Sequence, residues 1–213
     1  MLMKIAIIGN GKTGSKVAEV SVGHEVIVYD SQNTPTTEDL QKCDVAICFL
    51  PGSVFEQYID MLIDAQTPAV IGATGSNWQD GLNERLIDKQ VSWVYASNFA
   101  ATMPLVKELI EQLSIVDTSI QPVIEETHHI DKVDSPSGTA LSWQEWLGKD
   151  VKFIDYREAD TYGVHKLTVE TDHEVLSIEH TAKDRAAFAQ GALEAAERLV
   201  AGHYRPGLTN LLC

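Results

Sequence analysis

The sequence predicts an α/β fold: a doubly wound parallel sheet followed by a second, smaller α+β domain. Three observations carry this. Short uninterrupted apolar runs alternate with amphipathic stretches up to about residue 100, the first run ends in closely spaced glycines, and the rhythm then changes to strands that alternate apolar and polar. Uninterrupted runs suit strands buried on both faces, whereas alternation suits a sheet with one solvated face.

KIAIIG (4–9) is the first such run, GKTGSKVAEV has helix-forming composition, and HEVIVYD (24–30) completes a β-α-β unit. A helix start is expected at Thr36 or Thr37, and a third strand at DVAICFL (44–50). SVFEQYIDMLID places Phe55, Ile59, Leu62 and Ile63 at helical spacing. AVIGATG (69–75) and SWVYASNF (92–99) are the fourth and fifth strands, with LNERLIDK helical between them. Five strands alternating with helices predict an open, doubly wound sheet.

Next, TMPLVKELIEQL (102–113) predicts an amphipathic helix with Leu105, Leu109 and Leu113 on one stripe, and IQPVIEET (120–127) predicts a strand. HKLTVET (165–171) and VLSIEH (175–180) predict an antiparallel hairpin with Leu167 and Val169 on its buried face. These elements place the second domain at about residues 100–184. In the tail, DRAAFAQGALEAAERLVAG predicts a helix with Phe188, Ala192, Ala195 and Leu199 on one stripe, Asp184 as N-cap and Gly202 as stop.

The chain has 213 residues, 44% of them hydrophobic and 22% charged, enough for one large domain or two small ones. Sixteen basic against 31 acidic side chains give a formal charge of −15, which repels nucleic acid and anionic membrane surfaces. An anionic ligand therefore requires a local cluster of donors. MLMKIAIIGNGK is too short for a secretory or membrane-spanning segment. Cys43, Cys48 and Cys213 show no disulfide or zinc-finger spacing, which fits a reducing cytoplasm.

GNGKTG supplies Gly9, Gly11 and Gly14 in GxGxxG spacing between the first strand and the first helix. The glycines permit a tight turn and let backbone N–H groups and the helix end approach a pyrophosphate. Alone the pattern is weak, and a glycine-rich turn of another α/β protein competes with it. Asp30, at the end of the second strand, strengthens the dinucleotide reading because its carboxylate can accept the ribose hydroxyls. The same charge repels a 2′-phosphate, so NADH is preferred over NADPH, while Lys12 and Lys16 leave the second open. GATG (72–75) and ASNF (96–99) fall at the carboxyl ends of strands four and five, where they line a ligand or simply turn the chain.

EETHHIDKVDSPSGTA (125–140) gathers His128, His129 and Lys132 just before a helix start at Pro136-Ser137-Gly138-Thr139. The N–H groups of a first helical turn, with the Ser137 and Thr139 hydroxyls, make a carboxylate site. Lysine supplies fixed positive charge and histidine a proton near neutral pH. Two other readings stand beside this one. The segment is a solvated loop capping a helix, or the histidines bind a metal with Glu125, Glu126, Asp131 or Asp134; Lys132 opposes the cation, so no metal is expected.

The segment closely resembles the E-x-x-HHxxKxDxPSGTA signature of the 4-hydroxy-tetrahydrodipicolinate (dihydrodipicolinate) reductases of lysine and diaminopimelate synthesis. GATG and ASNF match the family's G-T/A-T-G and A-x-N-F turns, and READTYGVH and HTAKDRAAFAQGAL resemble two further family segments. The chain is short between WLGK and READTYGVH, has Ala159 for the usual glycine, and reads Cys48-Phe49-Leu50 for the usual D-F-S/T.

The resemblance implies a Rossmann-type dinucleotide-binding domain of residues 1–99 plus 185–213, and a substrate and oligomerisation domain of residues 100–184. It implies His128 as general acid/base and Lys132 as second proton donor, with His129, Lys132, Ser137, Gly138 and Thr139 around a small dicarboxylate. It places the cofactor on Gly9, Asn10, Gly11, Lys12, Thr13, Gly14, Asp30, Gly72, Ala73, Thr74, Ala96, Ser97, Asn98 and Phe99. It further implies a homo-oligomer, a tetramer by resemblance, with a dimer left open by the shortened second domain. A catalytically weak dinucleotide-binding regulator and a reductase of another small carboxylate imine are the alternatives.

Overall fold

The computed structural model describes residues 2–115, 120–130, 132 and 134–212; Asp131 and Cys213 lie outside them. In chain order the first elements are β1 (Lys4–Ile8), α1 (Gly14–Val20), β2 (Glu25–Tyr29), α2 (Thr37–Gln41), β3 (Val45–Cys48) and α3 (Gly52–Phe55). They are followed by α4 (Ile59–Asp64), β4 (Ala69–Ile71), α5 (Leu82–Asp88), β5 (Ser92–Tyr95), α6 (Met103–Gln112), β6 (Val123–His128) and α7 (Gly138–Leu147). The remainder are β7 (Lys152–Arg157), β8 (Val164–Glu170), β9 (Val175–Thr181), α8 (Ala186–Val200) and β10 (Gly207–Asn210). Two compact units result, Met1–Phe99 with Arg185–Cys213, and Ala100–Asp184.

The first unit is built on a parallel sheet in the order β10-β5-β4-β3-β1-β2. Ala6, Ile8, Ala46, Cys48, Ala69, Ile71 and Trp93 project from one face onto Leu40, Phe55, Ile59, Leu62, Leu82 and Leu86 of the helices α2 to α5. Their alternate neighbours Ile5, Ile7, Val45, Ile47, Val70 and Val94 are equally buried and face the other way, where α8 packs on β3, β4 and β5. Both faces are covered, which is why these strands read as unbroken apolar runs. Trp93 is fully buried, and its indole N–H donates to the Thr67 carbonyl at 3.1 Å. Thr36 caps α2 with a reciprocal bond pattern to Asp39, as its position predicts.

The sheet has one strand more than the sequence rhythm suggests. GLTN forms β10 beside β5, and Asn83 of α5 accepts the Leu208 N–H at 3.0 Å. Four residues containing Gly207 and Asn210 carry little β-propensity, so only the pairing edge of β5 makes them a strand. At the start of α8 the cap position is taken by Arg185 and not Asp184, a one-residue difference. Ala192, Ala195 and Leu199 are buried on its stripe as expected, with Phe188 half-buried.

The second unit holds a mixed sheet in the order β7-β6-β8-β9, with β6 parallel to β7 and antiparallel to β8. β7 is the second unforeseen strand: Lys152, Asp155 and Arg157 interrupt its apolar residues. Gly148 ends α7 in the left-handed conformation, and only residues 149–151 separate the helix from β7, the place where the chain is short. α7 contributes Ala140, Trp143, Trp146 and Leu147 to the core beneath β6.

The leucine stripe expected on α6 is a correction. Met103, Val106 and Ile110 are buried, whereas Leu105 and Leu109 are exposed. Both stripes have helical spacing, and the wider apolar side chains misidentified the inward one. No described helix is long and apolar enough to cross a membrane. Ile110→Ala is expected to cost about 2–5 kcal/mol by cavity formation, and Leu105→Ala within about 0.5 kcal/mol, measured by urea unfolding.

Candidate active site

The pleat of β6 turns alternate residues inward, so Ile124, Glu126 and His128 share the buried face. Antiparallel register sets His165 of β8 directly opposite Glu126. A carboxylate that is 1% exposed is thereby surrounded by imidazoles. Its Oε2 lies 3.7 Å from His128 Nδ1 and 3.5 Å from His165 Nε2, while Oε1 accepts the Ser137 N–H at 2.8 Å. Oε2 and His128 Nδ1 are both buried without a hydrogen bond of their own. The His128 and His165 rings meet edge-on at 5.0 Å, and Trp143 backs His165 at 5.7 Å.

The environment drives both titrations down. Burial disfavours charged His128 most, the nearby charges of His165, Lys132 and Arg157 add to it, and Glu126 opposes them, leaving His128 at about 4. For Glu126, burial alone favours the neutral acid, but donors at His165 and Ser137 and the charge of His128 outweigh it and bring the carboxyl to about 2.

Ser137 is buried, as the N-cap of α7: its hydroxyl accepts the Ala140 N–H at 3.2 Å and lies 3.1 Å from His165 Nε2. This hydroxyl, expected at the substrate, has these partners within the protein. Gly138 and Thr139 head the helix immediately after it. His129 lies one residue beyond β6 and is half-buried.

Lys132 does not stand as an isolated cation. Its Nζ is 2.7 Å from both carboxylate oxygens of Asp134. Arg157 secures this loop by donating to the Lys132 carbonyl at 3.3 Å and the Asp134 carbonyl at 3.1 Å, and it is itself ion-paired with Asp155. Gly163 at φ 134° approaches His128 from the next loop; a β-carbon there would lie 3.5 Å from His128 Nε2.

Glu126, His165 and Arg157 are the residues that sequence reasoning missed in this role. The period of two in VIEETH identifies Glu126 as a partner of His128 on one strand face. Donor atoms of Glu126, His128 and His165 all lie within 4.8 Å of one another, a spacing that a metal ion's ligands also take. The cationic Lys132 and Arg157, which disfavour a protonated His128, disfavour a metal cation for the same reason.

In the first unit the glycine turn divides its tasks. Gly9 has φ 106° and a β-carbon there would lie 2.2 Å from the Phe49 carbonyl oxygen; at Gly14 one would lie 1.7 Å from the Gly9 carbonyl oxygen. At Gly11 a β-carbon meets nothing within 4 Å, so that glycine opens the backbone to a ligand. Gly9, Asn10, Gly11 and Asp30 line a cleft of about 710 Å³, together with Phe49, Leu50 and Tyr58. Asp30 Oδ1 accepts the N–H groups of Gln32 at 2.9 Å and Asn33 at 3.1 Å, which depress its pKa.

Lys12 and Thr13 lead into α1 and, with Gly14, do not line this cleft. Gly72, Ala73 and Thr74 follow β4, and Ala96, Ser97, Asn98 and Phe99 follow β5, at the same carboxyl edge but outside the cleft. Phe49 links the three segments: its ring lies 5.9 Å from that of Phe99 and occupies the space beside Gly72.

A parallel sheet opened by such a turn, in a chain whose second sheet carries an acid–histidine group, belongs to a Rossmann-type oxidoreductase. A family model described as dihydrodipicolinate reductase, C-terminus, matches residues 101–212. The chain is 31% identical to the 4-hydroxy-tetrahydrodipicolinate reductase of Bdellovibrio bacteriovorus, over 97% of this chain and 93% of that one. It is 33% identical to that of Christiangramia forsetii, over 92% of each chain. The fold is similar to a dipicolinate-bound dihydrodipicolinate reductase from Paenisporosarcina sp. TG-14, with TM-score 0.73, 16% identity and coverage of 99% of this chain and 98% of that one. This chain belongs to the 4-hydroxy-tetrahydrodipicolinate reductase family.

Buried His128 makes the second unit acid-sensitive. The unfolded histidine takes up its proton near 6.5 and the folded one near 4, so the unfolded chain binds more protons between these values. Stability present above pH 6.5 is therefore lost as pH falls toward 4, by on the order of 3 kcal/mol. Glu126, depressed from 4.5 to about 2, extends the loss below that window. Urea unfolding from pH about 7 to about 5 is expected to show this slope in the wild type and a shallower one in His128→Asn.

Proposed function

We propose that this chain reduces 4-hydroxy-tetrahydrodipicolinate to tetrahydrodipicolinate, the family's step in lysine and diaminopimelate synthesis, using a nicotinamide dinucleotide. The observation that carries the reading is the single segment running from His128 at the end of β6, past His129 and Lys132, to Gly138 and Thr139 at the head of α7. It joins a proton-transfer group, a cation and a helix start in one stretch of chain.

The first unit fits the cofactor. Gly11 leaves its backbone open, Gly9 and Gly14 provide the tight turn, and Asp30 borders the same cleft. When bound, the nicotinamide supplies the hydride. Asp30 offers a carboxylate for ribose hydroxyls, and the residues lining this cleft include no lysine or arginine to receive a 2′-phosphate. NADH is accordingly the proposed donor in preference to NADPH.

In the second unit the N–H end of α7 at Gly138 and Thr139 receives one substrate carboxylate. Lys132 receives the other by exchanging Asp134 for it, with His129 alongside. His128 delivers the proton that balances hydride addition, while water leaves the hydroxylated ring. The substrate's two negative charges favour a protonated His128 at that moment. A homotetramer is proposed on the family resemblance.

Turnover with freshly made substrate tests this reading. NADH is expected to be oxidised faster than NADPH, and His128→Ala to lower kcat by about 100-fold or more. Wild-type inactivity, or equal rates for His128→Ala, overturns it. Asp134→Asn is expected to lower KM for substrate about threefold or more by releasing Lys132, measured by initial rates with saturating cofactor.

A further inference from the structure

We propose that Glu126 is the positioning residue of this site: through Oε2 it holds His128 as the tautomer with hydrogen on Nδ1, leaving Nε2 for the substrate, and through Oε1 it fixes the helix start that receives the substrate carboxylate. The proposal rests on the reading of His128 as the proton donor. The family signature specifies Glu125 and Asp134, and Glu126 falls on one of its open positions.

Oε2 is buried without a hydrogen bond, and the imidazole nitrogens facing it are His128 Nδ1 at 3.7 Å and His165 Nε2 at 3.5 Å. A neutral histidine carries one N–H. On Nδ1 that hydrogen points toward the anion; on Nε2 it leaves an Nδ1 lone pair facing carboxylate lone pairs in a buried, low-dielectric site where the repulsion is strong. The carboxylate thus selects the first tautomer. His165 reaches the same anion through Nε2, where it also meets the Ser137 hydroxyl at 3.1 Å, and the two rings are braced edge-on. The far nitrogen of His128, Nε2, sits beside Gly163, whose lack of a side chain leaves room there.

The groups acting on His128 come from every element around it: Glu126 on β6, Lys132 in the loop beyond, Arg157 on β7 and His165 on β8. Lys132, Arg157 and His165 disfavour the imidazolium, and Glu126 favours it. Remove that one carboxylate and His128 must acquire its proton with its positive neighbours alone. The other oxygen ties the proton donor to the anion cradle: Oε1 accepts the N–H of Ser137, the cap of α7, so one side chain sets both ends of the substrate's path.

Glu126→Gln is the informative variant because its carbonyl can still accept the Ser137 N–H while the charge is gone. We expect kcat to fall about 100-fold with KM for substrate changed less than about threefold, since the acid and not the cradle is affected. The activity fall-off at high pH should move to lower pH, because a general acid must be protonated and loses its supporting anion. Glu126→Asp, which keeps the charge, should recover part of the rate. Nitrogen-15 NMR of wild-type imidazoles at neutral pH should show His128 with hydrogen on Nδ1, and Glu126→Gln should lose that preference.

Unchanged kcat in Glu126→Gln beside an inactive His128→Ala overturns this proposal alone. Full activity of His128→Ala overturns the functional reading beneath it. If Glu126→Gln does not fold, the wild-type spectrum decides, and hydrogen on His128 Nε2 sinks the idea. Turnover should also survive EDTA; loss on chelation with recovery on added zinc would make the trio a metal site and overturn the proposal.

Discussion

The burial of one carboxylate organises the second unit. An ionised oxygen withdrawn from water must be given donors or cationic partners, and the cost of leaving it without them is several kcal/mol. Glu126 meets that demand by drawing on three separate segments: the end of its own strand at His128, the opposite strand at His165, and the head of α7 at Ser137. Each contact fixes a piece of backbone. The antiparallel register, the seating of α7 and the orientation of the histidine ring are thus coupled through one side chain, and a slip of one residue in β6 would turn Glu126 and His128 away together.

The first unit depends on sterics of the opposite kind, the absence of side chains. At Gly9 and Gly14 a β-carbon would collide with backbone oxygen, so these positions are closed by the fold itself, whereas Gly11 is closed by nothing in the protein. A glycine with open space around it is best understood through what approaches from outside. The carboxyl edge of a parallel sheet is where successive strand ends leave such space, and Phe49 fills the part of it between Gly72 and Phe99. Phe49 keeps the phenylalanine of the usual family triplet, and the departures fall on either side of it, at Cys48 and Leu50.

Legibility in the sequence followed the strength of local patterns. Strands buried on both faces announce themselves, and the five that begin the chain were readable as such. β10 was not, because Gly207 and Asn210 have no preference that survives outside the sheet edge, and β7 was not, because its charges break the apolar run. The α6 stripe was misjudged because the helix is apolar on two sides and only tertiary packing selects Met103, Val106 and Ile110. In the site, His128, Lys132 and the helix start could be named from a contiguous motif. His165 and Arg157 could not be given their roles, since they reach the site across strand pairing. Glu126 lies in between: the alternation of VIEETH carries the signal, but the sequence reading names it only among the acids of a possible metal site, and the neighbouring acids obscure which carboxylate turns inward.

The pairing of Lys132 with Asp134 bears on how an acidic chain accepts an acidic ligand. A formal charge of −15 opposes the approach of a dianion, and a bare lysine in the loop would face that field while losing hydration. Here the ammonium is already held by a carboxylate, with Arg157 fixing the backbone on either side of it. In the proposed exchange a substrate carboxylate replaces an equivalent group, so the lysine is not desolvated anew and the released Asp134 returns to water. The energetic difference between the two states is then small, and the choice falls to contacts that Asp134 cannot make. On that proposal those are the head of α7 and the proton of His128, and the buried carboxylate assigned to position both would have more influence on the site than the half-buried ion pair beside it.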